Sequence, residues 1–221
     1  MSVNLSMVAS DKVDVNFLQP SGIQSSILTE IYQPKYNISI WQRRLPTGMI
    51  DAINDMLQTR KPLTLVKRVT PSNVEEYIRD KLTGATCADA LSKDVALIVD
   101  MFCCLFDVEE AGLRLTTLDS AMCPKFHVDQ IPCRLVTTYT GAATQWLEKN
   151  DIERSKLGIA GVVNNLPNMH NSDLAVKQMH SGDVALLKGS GWQGNESMGL
   201  VHRSPALMLD ERRLLLTLDL V

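Results

Sequence analysis

The sequence predicts an α+β protein, with a largely helical layer followed by an all-β half that forms a barrel or a sandwich. Three observations carry this. Apolar residues recur at helical spacing in several segments between residues 45 and 107. After Glu110 the apolar runs become short, rich in β-branched residues and separated by Gly, Pro and Asn. The chain has 221 residues, of which 45% are hydrophobic and 21% charged, so it can bury a sizeable core as a soluble globular protein. Residues 1–36 read as an irregular N-terminal segment, 37–110 as a mostly helical layer packed on the β half, and 111–221 as the β core. The three are expected to make one structural domain.

Each element has its own local signal. Val13 to Leu18 fits a short strand, broken by Gln19-Pro20-Ser21-Gly22. Asn37 to Arg43 alternates apolar and polar residues, as a strand does. Leu45-Pro46-Thr47-Gly48 ends it. A helix runs from about Met49 to Arg60, with Ile50, Ile53 and Leu57 on one stripe. Leu63 to Val66 fits a short strand. Thr70-Pro71-Ser72 opens the next helix, with Ser72 and Glu75 at capping-box spacing, and Leu82 closes it before Gly84. Leu91, Val95, Ile98, Phe102 and Leu105 give a third helix from about Asp89 to Phe106 one apolar face. Strands follow at Gly112–Leu118, Arg134–Tyr139, Thr144–Leu147, Asp183–Lys188, Gly199–His202 and Arg212–Leu220. Lys149 to Ser155 reads as a loop or one helical turn, and Leu157 to Asn168 has no clear pattern.

Composition excludes several classes. A net charge of −3 gives no electrostatic case for nucleic acid. The longest apolar runs are far too short to span a bilayer. The N-terminus lacks the basic start and apolar stretch of a signal peptide, so a cytoplasmic location is expected. Five cysteines with no C-x-x-C pair argue against disulfides there. Cys103-Cys104, in an apolar helix, is core filling. The apolar helices could pack on the β core or on a second subunit, which leaves a homodimer open. No motif names a small-molecule or protein substrate.

The chemistry concentrates in Phe126-His127-Val128-Asp129. On an extended strand alternate residues face the same way, so His127 and Asp129 would stand about 6–7 Å apart on one face. A second histidine, His202, follows on a later strand-like segment. Two histidines and one carboxylate with open positions are the ligand set of non-haem Fe(II) oxygenases. Arg203, Arg212 and Arg213 follow His202, and a guanidinium can hold a carboxylate bidentately.

Plain structural readings stand beside each of these. His127 and Asp129 also fit a hydrogen-bonded surface pair, and His202 a satisfied core histidine. Arg134 fits either a substrate carboxylate or a nearby acid. Tyr139 fits the core as well as a substrate site. Trp146 fits packing, and Trp192, in a Gly-rich loop, could border a pocket. His170 and His180 read as loop residues. Cys123, His127, Asp129 and Cys133, with His202, are clustered enough for a zinc site, although Pro124 and Pro132 surround the motif and the spacing matches no common structural zinc signature. Gly189-x-Gly191-x-x-Gly194 matches a dinucleotide fingerprint by letter, but no helix follows it.

The order His127-x-Asp129, Arg134 to Tyr139, Gly141, Trp146-Leu147, Gly182-Asp183, His202-Arg203-Ser204-Pro205 and Arg212 to Asp219 resembles the bacterial domain-of-unknown-function family 1826. Ile40-Trp41-Gln42-Arg43 is similar to that family's N-terminal part. The C-terminal half also resembles, more loosely, the double-stranded β-helix (jelly-roll, cupin-like) of Fe(II)/2-oxoglutarate-dependent oxygenases. This second resemblance implies a barrel with Fe(II) held by His127, Asp129 and His202. It also implies 2-oxoglutarate anchored by Arg212 or Arg213, and a substrate contacted by Arg134, Tyr139 and Trp192. Arg212 and Arg213 point to opposite faces of a regular strand, and the pattern leaves both open. The alternative reading is a non-catalytic, cupin-like metal-binding protein holding zinc and linked to zinc homeostasis.

Overall fold

In a computed structural model, residues 19–148, 152, 154 and 176–221 are described. The expected strand at Val13–Leu18 and the segment Leu157–Asn168 lie outside the described residues, as does His170. The chain opens with a two-residue strand β1 (Ser21–Gly22), a 3-10 helix (Ser25–Tyr32) and β2 (Ile38–Trp41). Next come α1 (Thr47–Gln58), β3 (Thr64–Val69), α2 (Val74–Lys81) and α3 (Ala88–Phe106). The described elements after α3 are strands: β4 (Ala111–Leu118), β5 (Cys133–Thr140), β6 (Gln145–Leu147), β7 (Val176–Gln178), β8 (Val184–Lys188), β9 (His202–Arg203) and β10 (Arg213–Asp219).

Three local expectations change. Residues 25–32 are not irregular. Leu28 and Ile31 are spaced by three, the 3-10 repeat, and both are buried in the main apolar cluster. The capping box does not form at α2. Asn73 occupies the cap position without a side-chain bond to the helix, and Ser72 pairs instead with the Thr70 hydroxyl at 2.9 Å. Gly199 to Val201 are not strand, and β9 covers only His202 and Arg203.

Among the described residues, seven strands form one sheet in the order β1-β2-β8-β5-β10-β4-β3, and three form a second in the order β7-β6-β9. Within the first sheet only β1 and β2 pair in parallel. A single antiparallel bridge, His127 to His202, adds one more segment beside β9. From β4 onward the chain therefore passes repeatedly between the two sheets. It visits the large sheet at β4, β5, β8 and β10. It visits the small one at His127, β6, β7 and β9.

Alternation along the central strands sorts the side chains. Leu135, Leu186, Leu214 and Leu216 join the cluster shared with Ile53, Ile98 and Phe102 of the helices. Val136, Leu187 and Leu215, their neighbours in sequence, join Trp146 of the small sheet. The large sheet is thus buried on both faces, which explains the near-continuous apolar runs of β8 and β10. A buried ion pair ties the helices to the sheet. Arg43 meets Asp94 of α3 with both Nη atoms (2.6 and 2.9 Å), and the Tyr139 hydroxyl donates to the same carboxylate at 2.8 Å. Among the described residues, no helix is long and apolar enough to cross a membrane.

Candidate metal centre

His127 and Asp129 do not lie on a regular strand. Residues 121–132 are irregular, a mix of bends and unpaired chain, apart from the one bridge residue His127. Pro124 and Pro132 bound this stretch and have no N–H to give to a ladder, so pairing stops on either side. The single bridge still aligns the site. His127 N–H donates to the His202 carbonyl and His202 N–H to the His127 carbonyl, both at 3.0 Å. The two imidazoles stand side by side with ring centroids 4.5 Å apart.

Both rings turn the same atom toward Asp129. His127 Nε2 lies 3.5 Å from Oδ1, and His202 Nε2 lies 3.6 Å from Oδ2. The opposite nitrogens meet backbone carbonyls: His127 Nδ1 that of Lys125 at 3.0 Å, His202 Nδ1 that of Leu200 at 3.2 Å. A carbonyl only accepts, so each Nδ1 carries the proton and each neutral ring keeps its Nε2 lone pair for a ligand. One ligand atom from each of the three residues lies within 4.8 Å of the others. Metal–ligand bonds of about 2.0–2.2 Å make such a trio a fit for one divalent cation.

Asp129 is held from two further sides. Its Oδ2 accepts from Arg134 Nη1 at 2.8 Å, and Arg134 also grips Asp219 through Nε and Nη2 (2.7 and 2.8 Å). Arg134 therefore pairs with two acids, one of them a candidate ligand. The Asp129 backbone carbonyl accepts from Ser190 N–H at 2.8 Å. This is the work of the Gly-rich loop after β8, which sequence reasoning set aside with its false dinucleotide pattern. A Cβ on Gly189 would sit 2.1 Å from the Ile131 carbonyl oxygen and 2.5 Å from that of Asp129. Only glycine allows this approach of backbone to backbone. Gly189→Ala is expected to push the Asp129 loop away, costing about 1–3 kcal/mol of stability and weakening metal binding. Urea unfolding and metal titration of the variant check this.

Burial pushes the Asp129 carboxyl up, but the His127 hydrogen bond and the charges of His202 and Arg134 win and bring it to about 2. Burial lowers the His202 imidazole to about 4 against the pull of Asp129. His127 is less enclosed. Burial lowers it too, but its bond to Asp129 leaves it raised. The two rings share one carboxylate, and the proton favours the more open one. An unfolded imidazole protonates near pH 6.5, well before folded His202 does at about 4. The unfolded chain thus binds the extra proton across that window. For the metal-free protein this contribution to stability is full above about pH 6.5 and falls away toward pH 4. Urea midpoints at pH 7 and pH 5 should differ accordingly, and the difference should shrink in His202→Leu.

The two candidate anchors separate. Arg213 is 1% exposed and lines a cavity together with His127, His202, Arg134, Leu215 and Thr217. Arg212 points the other way, reaching the Leu57 carbonyl of α1 at 3.4 Å. Arg213 donates to the Ala142 carbonyl at 2.9 Å and to the Ser204 hydroxyl. Its Nε is buried without a partner. Among the described residues, no carboxylate lies within ion-pair distance of it.

Two residues expected at the substrate site do not line this cavity. Tyr139, fully buried, sits on the helix-facing side of β5 because it is an odd-numbered position beside Leu135. Trp192 packs on Tyr32 and Phe106, with the Lys188 ammonium over its ring. The zinc arrangement with two thiolates does not assemble either. Cys133 shares the helix-facing side of β5, and Cys123 is not among the clustered ligand atoms. His180 is an exposed turn residue.

Solved structures similar to the chain include a Pseudomonas putida prolyl-4-hydroxylase (10% identity, 88% of this chain and 96% of that one, TM-score 0.43). Another is the dioxygenase for auxin oxidation of rice (9%, 92% and 83%, TM-score 0.49). A third is dioxygenase for auxin oxidation 1 from Arabidopsis thaliana in its 2-oxoglutarate complex (10%, 92% and 92%, TM-score 0.46). No curated protein sequence matches the chain. The model of one protein family, "Protein of unknown function (DUF1826)", matches residues 22–219. The chain belongs to this DUF1826 family, as the order of its motifs led one to expect.

Proposed function

We propose that the protein is a non-haem Fe(II)- and 2-oxoglutarate-dependent oxygenase with a double-stranded β-helix core. One observation carries the reading: a His-Asp-His trio with both Nε2 atoms turned to the shared carboxylate has its two histidines on the same cavity as a buried Arg213 that has no carboxylate partner among the described residues. A buried cation without a counter-charge is costly, and an anionic ligand relieves that cost. The passage of the chain between two sheets from β4 to β10 supports the β-helix. His127, Asp129 and His202 would hold the iron by three protein atoms and leave its other positions free. Bound iron and its 2-oxoacid supply the oxidative chemistry. Arg213 holds a distal carboxylate at the buried end of the cavity. Arg134 keeps one Asp129 oxygen engaged, so that the other turns to the metal. Val136, Leu187 and Leu215 keep water from the space between.

The test is an anaerobic titration of metal-free protein with Fe(II) and 2-oxoglutarate. The weak visible absorption of the iron–2-oxoacid chelate is expected in the wild type and absent in His127→Ala. Folded, iron-loaded wild type without that band would refute the oxygenase reading. Stoichiometric zinc that resists exchange, with no response to 2-oxoglutarate, would favour a metal-binding protein without turnover.

A further inference from the structure

A second cavity, of 310 Å³, lies on the helix-facing side of the large sheet. Leu135 of β5 and Leu186 of β8 line it from the sheet, Ile98 and Phe102 from α3, and Leu28 from the 3-10 helix. All five side chains are buried. Their sequence neighbours Val136 and Leu187 line the metal cavity instead. The two cavities therefore share β5 and β8 as a common wall, and the second is separate from the metal centre.

A gap of this size is not ordinary packing, because protein interiors hold few voids larger than a water molecule. Water is a poor filling for it. Each buried water needs two to four polar partners, and these walls offer hydrocarbon. An apolar body fits them better. An apolar cavity of about 150 Å³ takes one benzene. At 310 Å³ this one has room for about two fused rings. Trp41 and Phe102 give it aromatic walls, which suit a flat ring. Asp100 is the one charged side chain on the lining, and it is exposed to solvent. Among the described residues, no cation lies within ion-pair distance of it. A lone carboxylate at the rim attracts a cationic head and repels an anionic one.

We infer that this cavity is a binding site for a small aromatic amine. About two fused rings lie against Trp41 and Phe102, and the ammonium sits at Asp100. Ser25 and Ser26 of the 3-10 helix also line the cavity and offer hydroxyls to the head. The site does not depend on the oxygenase reading, because none of its residues touches the metal trio or Arg213 and the sheet stands between them.

The experiment is isothermal titration of the metal-free full chain at low salt with three probes. 1-Naphthylmethylamine, 1-naphthalenemethanol and 1-naphthoic acid share the two rings and carry a cationic, a neutral and an anionic head. Saturable one-to-one binding is expected, tightest for the amine and weakest for the acid. Asp100→Asn should weaken the amine about two- to fivefold, the range of an exposed ion pair, and leave the alcohol unchanged. Thr29 lines the cavity from an exposed position, so Thr29→Trp sets an indole at the mouth. It should weaken all three probes by about tenfold or more. Circular dichroism checks that this variant folds, and Asp100→Asn, a change at an exposed side chain, decides the matter if it does not. Wild type that binds none of the probes would overturn the inference. In that case a dimer in sedimentation that Thr29→Trp disrupts would assign the face to a second copy of the chain. Equal affinity for all three heads would overturn it, as would binding that a folded Thr29→Trp variant leaves intact.

Discussion

Asp129→Ala is expected to abolish tight binding of a divalent cation, with affinity falling by well over about 100-fold. Asp129 brings the single negative charge of the trio, and both imidazole Nε2 atoms face it. Removing a partner that merely orients a ligand costs about 10–100-fold, so losing the ligand itself must cost more. Arg134→Met tests that lower range on the same site. It leaves Asp129 in place and removes the guanidinium that engages its Oδ2. The Asp129 variant should stay folded, because Arg134 remains paired with Asp219 through two bonds. Isothermal titration with Fe(II) under anaerobic conditions, or with a redox-inert divalent ion, ranks the two. Equal, small losses in both variants would mean that the metal sits elsewhere.

Arg213→Met is expected to separate binding from stability. Without ligand, Arg213 is a buried charge with hydrogen bonds to Ala142 and Ser204 but no carboxylate. Burial alone lowers its tendency to stay charged, opposed only by the more distant Glu211. Replacing such a group by an apolar one of similar length is expected to leave the melting temperature unchanged or to raise it. Affinity for 2-oxoglutarate should fall by about 100-fold or more, as expected when one partner of a buried charge pair is removed. Arg212→Met should lose little of either, because its side chain reaches α1 rather than the cavity. Thermal unfolding with and without 2-oxoglutarate reads both effects. A variant that is less stable yet binds normally would make Arg213 a structural residue.

Much of the architecture was legible from local chemistry. The leucines and phenylalanine of α3 recur at helical spacing, and its ends fall within a residue of expectation. The runs at β5, β8 and β10 are apolar, short and bounded by turn residues, and they became the centre of the large sheet. The 3-10 helix was not legible, because an eight-residue segment is defined by what it packs on. Its Leu28 and Ile31 matter only once α3 and β2 lie beneath them. The same limit applies to Tyr139 and Trp192. Their types suit a pocket or a core equally, and the face of the strand and the path of the loop decide.

By itself the sequence determined which candidate ligand groups are on offer. A His-x-Asp pair, a later histidine and a following Arg-Arg are covalent facts of order, and no folding alters which atoms they offer. What only the tertiary structure decided is where those atoms point. His127 reaches His202 through one backbone bridge between segments far apart in the chain. The Asp129 loop is shaped by Gly189 on another loop, through contacts that spacing does not encode. Both faces of β10 are buried, so alternation could not tell Arg212 from Arg213. The two side chains part according to which face meets the helices and which meets the small sheet, and that depends on long-range packing.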